Sequence, residues 1–329
     1  MISSTPSTAT GTFAAVLIAA CFVATPLYAD DTSSSAVDDV SVHQEPLDEQ
    51  VSIDDDEIVE VTDSDALFPW TGEELYYSVR VNDAEAMRGG IRAGDVRRQG
   101  QHAYLPLSAS VHSRGFLDSL YPIEDRANTF LNPDTTFPFR SEKEFDENGQ
   151  FRSYDVDYDH ASFTANVERH REDRESTFES AIPDGTHDML TWLYEFRQSD
   201  DLSIGDEFSY FIYDGWLLSR LDLQVAERVD VLTPIGWFKT WRVEFSREIL
   251  EVEDNSDNDD AQEAEEASND SDSDVDPVPP ELSIQEEARH TGSIWLSRDE
   301  NLIPVQVTID TTFGDGRAVI IGYQPGEPG

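Results

Sequence analysis

Apolar residues recur at every second position in one segment of this chain after another, and a period of two dictates strands with one buried face. Ala103, Leu105, Leu107, Ala109 and Val111 alternate with mostly polar neighbours. Tyr154, Val156 and Tyr158 repeat the pattern, as do Ala161, Phe163, Ala165 and Val167, and later Val305, Val307 and Ile309. Turn chemistry separates the runs. Asp146-Glu147-Asn148-Gly149 divides 137–145 from 151–158, and Asp214-Gly215 divides 207–213 from 216–231. Thr233-Pro234-Ile235-Gly236 precedes 237–250, and Gly314-Asp315-Gly316 precedes 317–323. Pro106 falls on the opposite face of its strand and points to an edge or a bulge. One segment departs from this pattern. After Pro183-Asp184-Gly185, residues Met189, Leu190, Leu193 and Phe196 fall at helical spacing with Trp192 beside them, which predicts a helix over 186–197 with Thr186 as N-cap. The expected fold is mainly β: a curled antiparallel sheet or half-open β-barrel of about ten strands, with one short helix packed on its concave face.

The ends of the chain carry different information. An apolar run over 13–24, then Pro26 and Leu27-Tyr28-Ala29 before Asp30, has the length and cleavage pattern of an export signal, although residues 1–12 hold no Lys or Arg. The run is too short to span a bilayer, which takes about 20 apolar residues. Cys21 is the only cysteine, and Ile18-Ala19-Ala20-Cys21 also has the form of a lipobox. Either cleavage falls after Ala29 and the mature chain has no thiol, or Cys21 is acylated and anchors the protein. The first route excludes disulfides, thiolate metal sites and cysteine nucleophiles.

Thirty of the sixty-nine acidic residues lie in two tracts without Lys or Arg, fourteen in 30–66 and sixteen in 251–288. Neither tract has a sustained apolar period, so both are expected to be disordered. The reading is a signal peptide at 1–29, a disordered acidic linker at 30–66, and one β-rich domain at 67–325, interrupted by a disordered acidic insertion at 251–281 within a hairpin. Such a domain buries a core without staples. The net charge of −47 disfavours nucleic acid and anionic lipid headgroups as partners. Only two of the twenty-two basic residues are Lys, a balance that suits solubility in a salty environment and a halophilic source.

Catalytic motifs are absent from the sequence: there is no Gly-x-Ser-x-Gly elbow, phosphate-binding Gly loop or His-Glu-x-x-His. His187-Asp188 has the form of a base with its orienting acid, but an Asp complementing a helix N-terminus accounts for it more simply. Asp270, Asp272, Asp274, Asp276 and Glu281 mimic a calcium loop, yet Val275 stands where Gly is needed and the following prolines forbid the second helix. No metal, cofactor or catalytic residue is therefore assigned. Met189, Trp192, Leu193 and Phe196 are the candidate lining for an apolar ligand, with core packing as the alternative role.

The residues also resemble a known family. Gly72-Glu73-Glu74-Leu75-Tyr76-Tyr77-Ser78-Val79 followed by Gly90-Ile91-Arg92-Ala93-Gly94 is similar to the opening of a bacterial domain-of-unknown-function family, number 3108 in that series. Tyr121-Pro122, the 188–197 segment ending at an Arg, Thr233-Pro234-Ile235-Gly236, and Ile294-Trp295-Leu296-Ser297 with Asp299 and Pro304-Val305 follow in the family's order. The chain departs in a longer 82–88 segment and in the acidic insertion. The resemblance implies an exported bacterial protein of unassigned activity and supplies no catalytic residue. The fold is also similar to the half-open barrels of periplasmic lipoprotein carriers, an analogy that does not extend to function.

The resulting expectation is a non-enzymatic binding or structural protein of the bacterial envelope, periplasmic or secreted, or lipid-anchored through Cys21. It takes an apolar small molecule, a lipid or an envelope protein as partner. The alternative is an envelope carbohydrate hydrolase using paired carboxylates. Intact-mass measurement of the exported protein should give a chain beginning at Asp30; an acylated Cys21 at the N-terminus would reverse the order of the two processing routes.

Overall fold

The computed structural model describes residues 58–60, 68–99, 102–171, 174–252, 279–311 and 314–326. Along the chain, β1 (Ile58–Glu60), β2 (Glu74–Val81), β3 (Ala84–Ala93), β4 (Arg97–Gln99) and β5 (His102–Ser113) precede the short helix α1 (Gly115–Leu120). Next come β6 (Ile123–Leu131), β7 (Pro138–Glu147), β8 (Gln150–Asp159), β9 (Thr164–Arg171), β10 (Arg174–Ala181), β11 (Thr186–His187) and the helix α2 (Thr191–Arg197). The chain then forms β12 (Glu207–Tyr213), β13 (Leu218–Thr233), β14 (Gly236–Val252), β15 (Leu282–Ser297), β16 (Pro304–Thr311) and β17 (Gly314–Gln324).

These strands make one antiparallel meander. From β2 the ladder runs through β3, β5, β6, β7, β8 and β9 to β10. In the other direction β2 pairs with β17, which continues through β16, β15, β14 and β13 to β12. First and last long strands thus meet mid-sheet, while β10 and β12 are its two ends. The sheet curls until these ends approach. Tyr213 Oη on β12 donates to Ser180 Oγ on β10 at 2.7 Å, and Tyr158 Oη on β8 donates to the Tyr213 carbonyl at 2.9 Å. No backbone ladder joins β10 directly to β12 among the described residues; side-chain bonds and the short β11, which follows β10 and pairs in parallel with β12, close the seam.

The fold is mainly β, as its alternation requires, but the described residues form seventeen strands rather than about ten and two helices rather than one. The missed long strands share one trait: their inward faces are not uniformly apolar. On β6 the inner register includes Asp125 and Thr129, on β10 Ser176 and Ser180, and on β3 Gly89. Polar or small residues on a buried face erase the hydrophobic period. Ile58–Glu60, inside the stretch expected to be disordered, pairs with β4. Ala161 and Phe163 belong to a turn, where Phe163 has φ 56°, and β9 starts at Thr164. Gly314–Gly316 lie within β17, not in the closing turn.

Other local readings hold. Asn148 and Gly149, at φ 55° and 76°, form the two-residue turn between β7 and β8 that a right-twisted hairpin favours. Pro106 sits where the partner of β5 changes, between the Ala93–Leu107 pair with β3 and the Arg97–Tyr104 pair with β4. A missing N–H is harmless at such a break. Residue Val252, the last of β14, pairs with Leu282, the first of β15, so the acidic segment leaves and rejoins the sheet within one hairpin.

Helix α2 lies inside the curl, with all of its residues except Glu195 buried. It starts later than its apolar spacing predicts, because Thr186 and His187 first pair with Phe211 and Ile212 on the free edge of β12. Thr186 is consequently no cap; its hydroxyl donates to the Pro183 carbonyl at 2.6 Å. Asp188 Oδ1 instead accepts the N–H groups of Leu190 and Thr191 at 3.0 and 2.9 Å.

The C-terminal end of α2 is held by an ion pair. Arg197 donates two bonds to the Glu73 carboxylate at 2.7 and 2.6 Å, and its Nε donates to the Asn301 carbonyl at 3.0 Å. Both side chains are fully buried, and the guanidinium carbon lies 4.7 Å from the Trp70 ring centroid. Burial by itself would lower the Arg197 pKa; Glu73 opposite reverses that and holds it above its ordinary value. Glu73→Gln should leave an uncompensated buried guanidinium and cost about 3–5 kcal/mol in urea unfolding, whereas a paired Glu73→Leu, Arg197→Met variant should lose much less. Equal losses in the two variants would count against the ion-pair account.

Candidate functional site

Helix α2 brings the four candidate lining residues together. Met189, Trp192, Leu193 and Phe196 are buried within one apolar cluster that also holds Val225 and Val243. Trp192 Nε1 donates to the Met189 carbonyl at 3.0 Å, which turns the indole along the helix. The two that carry rings meet β12: Phe196 stands edge-on to Phe208 at 4.9 Å, and Trp192 lies 6.4 Å from Tyr210. Phe208 and Tyr210 are only half-buried. Outside them the edge of β12 has no partner strand, since β11 covers only Phe211 and Ile212. The stripe thus runs from the packed core to an aromatic edge that reaches solvent beside the seam.

Sequence reasoning missed a second interior region, made of charges. Lys143, Asp214 and Arg247 are completely buried. Arg247 donates to Asp214 Oδ2 and to Ser219 Oγ, each at 2.8 Å. Lys143 Nζ donates to the Asp214 carbonyl at 3.1 Å and lies 5.8 Å from the Trp216 ring centroid. Burial raises the Asp214 pKa although Arg247 and Lys143 both oppose it. The turn carrying Asp214 can approach β8 because the next residue is Gly215, whose φ is 93° and where a Cβ would stand 2.8 Å from Val156. Alternation parity was the available signal: Lys143 shares the inward register with Phe145, and Arg247 with Phe245 and Val243.

A third group lines the inner face near the β7–β8 hairpin turn. Asp125 and Glu147 are 1% and 2% exposed, and one oxygen of each, Asp125 Oδ1 and Glu147 Oε1, has no hydrogen-bond partner among the described residues. Arg152 donates to Glu147 Oε2 at 2.9 Å. Burial, reinforced by Glu147, pushes the Asp125 carboxyl up to about 8, and burial raises Glu147 too. This is a carboxyl pair holding a proton at neutral pH, but it is sealed from solvent. His187 is also buried, near Thr191 Oγ1 at 3.2 Å, and burial lowers it to about 4. A neutral imidazole facing a hydroxyl fits a structural role, and Asp188 is occupied with capping α2 and accepting a bond from Thr129.

Cys21, the 1–29 segment, Asp270, Asp272, Asp274 and Asp276 of the calcium-loop mimic and most of both acidic tracts lie outside the described residues, while Glu281 stands exposed just before β15. Within the described residues no cluster of three or more His, Cys, Asp or Glu could hold a metal ion, and no helix is long and apolar enough to cross a membrane.

Residues 76–321 match the model of the family described as protein of unknown function, DUF3108. No curated protein matches the chain. Among solved structures, a β-barrel-like protein of domain of unknown function DUF1849 from Brucella abortus aligns at TM-score 0.46 and 9% identity, covering 78% of this chain and 98% of that one. A protein from Parabacteroides distasonis described as a lipoprotein aligns at TM-score 0.29 and 10% identity, over 80% of this chain and 100% of its own. A Bacteroides fragilis protein with a YmcC-like fold, described as exported, aligns at TM-score 0.29 and 7% identity, over 78% and 98%.

Folded Asp125 keeps a proton that the unfolded chain releases near its ordinary value of 3.8. From there up to about 8 the folded state binds more protons, so this group makes stability fall as pH rises through that window. Asp125→Asn should remove the slope and, at alkaline pH, raise stability by about 1–3 kcal/mol. His187 acts at the acid end, where the unfolded chain takes up its proton first and stability falls from its ordinary value of 6.5 toward 4. Urea midpoints across pH test both, and an unchanged alkaline slope in the Asn variant would clear Asp125 of the effect.

Proposed function

The chain belongs to the DUF3108 family of proteins of unknown function, and from that premise we propose that it is an exported, non-enzymatic binding or structural protein of the bacterial envelope that takes an apolar ligand between α2 and β12. The observation that carries this reading is the aromatic path at the open edge of the sheet. Phe208 and Tyr210 reach solvent, touch Phe196 and Trp192, and lead to Leu193 and Met189. An acyl chain entering there displaces side-chain contacts and breaks no backbone ladder, because on the edge of β12 away from β13 no strand pairs with residues 207–210 among the described residues. Few polar groups are needed for such binding.

Burial of the ionisable groups supports the non-enzymatic part. A glycoside hydrolase needs two carboxyls about 5–10 Å apart facing a cleft that admits sugar. Asp125 and Glu147 are a carboxyl pair, and their 1% and 2% exposures favour a structural role over hydrolysis. Export rests on the apolar run at 13–24, with cleavage before Asp30 or acylation of Cys21 as the two routes, and a salty habitat rests on twenty Arg against two Lys.

The test is titration of the mature protein with a long-chain fatty acid, read by tryptophan fluorescence and by native mass spectrometry. Saturable uptake should weaken about tenfold, or ~1.4 kcal/mol, in Phe208→Ala. A wild-type protein that retains no apolar ligand from its own envelope and binds none added would defeat the reading.

A further inference from the structure

Strands β13 and β14 outrun their neighbours at one end. β12 pairs with β13 no further than Gln224, and β15 pairs with β14 only from Thr240. Beyond the Val229–Thr240 pair, a two-stranded ribbon continues through Asp230–Lys239, Val231–Phe238, Leu232–Trp237 and Thr233–Gly236. The face that continues the inward register of Val243 and Phe245 runs out past the neighbouring strands into solvent and is apolar at the tip: Leu232 is 61% exposed, Trp237 71%, and Ile235 in the turn 41%. The tip is also preformed. Thr233 Oγ1 donates to the Gly236 carbonyl at 3.0 Å and accepts the Ile235 N–H at 3.3 Å, so ordering it on contact has little entropic cost.

Charge and size decide what such a tip fits. In a chain of net charge −47 the ribbon 230–239 carries only Asp230 and Lys239, which cancel. At the opposite end of β14, past Val252, begins the tract with sixteen acids and no base, about 50 Å away at ~3.3 Å per residue. The molecule is therefore electrostatically polar along one strand: facing a negatively charged surface it turns its acidic end away and its neutral apolar tip forward. A stable protein interface buries roughly 800 Å² on each partner, more than three side chains on a narrow ribbon can offer. A bilayer makes no such demand, because it surrounds a protrusion on all sides, and tryptophan prefers the headgroup region.

We propose that the tip of the β13–β14 ribbon is a bilayer-docking element, with Trp237, Leu232 and Ile235 entering the interfacial layer of a phospholipid membrane. It stands independently of the ligand path at β12, which lies elsewhere on the sheet and is tested with monomeric fatty acid. The experiment is co-flotation of the mature exported protein with phosphatidylcholine vesicles, with and without brominated acyl chains. Wild-type protein should float with the vesicles, show tryptophan quenching by the brominated lipid, and keep floating at high salt. Trp237→Ser should weaken partitioning about tenfold with the urea midpoint unchanged, and Leu232→Ser should weaken it less. Absence of flotation, equal flotation of the Trp237→Ser variant, or self-association through the tip in sedimentation equilibrium without vesicle binding would each overturn the proposal.

Discussion

A guanidinium shut away from water inside a β-sheet protein needs its nitrogens met by acceptors, and each nitrogen of Arg197 donates to Glu73 or to the Asn301 carbonyl. The three residues come from the approach to β2, the end of α2 and the turn before β16. Desolvation makes such a pair a poor source of net stability, but it makes every alternative arrangement worse, since any register that separates the partners strands a charge in the core. The pair therefore fixes α2 inside the curl. With a helix occupying that position, the ends of the sheet meet through Tyr213 and Ser180 side chains. The open seam and the aromatic edge of β12 both follow from this placement.

The same constraint recurs on the inner wall. Lys143, Arg247 and Asp214 form a compact group of opposite charges, and Asp125 avoids a second buried anion beside Glu147 by keeping its proton. Buried charge of this kind specifies which strands face each other more than it stabilises them. It resembles catalytic machinery in composition, yet each of these side chains is closed off from solvent.

Function in this architecture is therefore sought where packing is incomplete. Two such places are the half-buried rings beside α2 and the bare ribbon tip of β13 and β14. One suits an apolar molecule threading inward, the other a surface met from outside. Both are placed by strands that lack a neighbour, which is the sheet's way of offering backbone-supported apolar surface without opening its core.

How much of this was legible depended on what faced inward. Where a strand buries only apolar residues, as at Leu105, Leu107, Ala109 and Val111, the period of two fixed element and face directly. Turn chemistry at Asn148-Gly149 and Thr233–Gly236 set hairpins locally, and the helical spacing of Met189, Leu193 and Phe196 placed a helix. The acidic tracts, the single cysteine and the absence of the catalytic motifs named above are read directly from the sequence. Strands β3, β6 and β10 escaped the pattern because Gly89, Asp125, Thr129, Ser176 and Ser180 interrupt the apolar period of their inner faces. Asp125 with Glu147, Lys143 with Asp214, and Glu73 with Arg197 are distant in sequence or hidden by register, and a local pattern carries no signal for a contact made across a sheet. Burial of a charge is a property of its surroundings, so only the tertiary structure decided which of these residues are interior and which side chains on β13 and β14 were left in water.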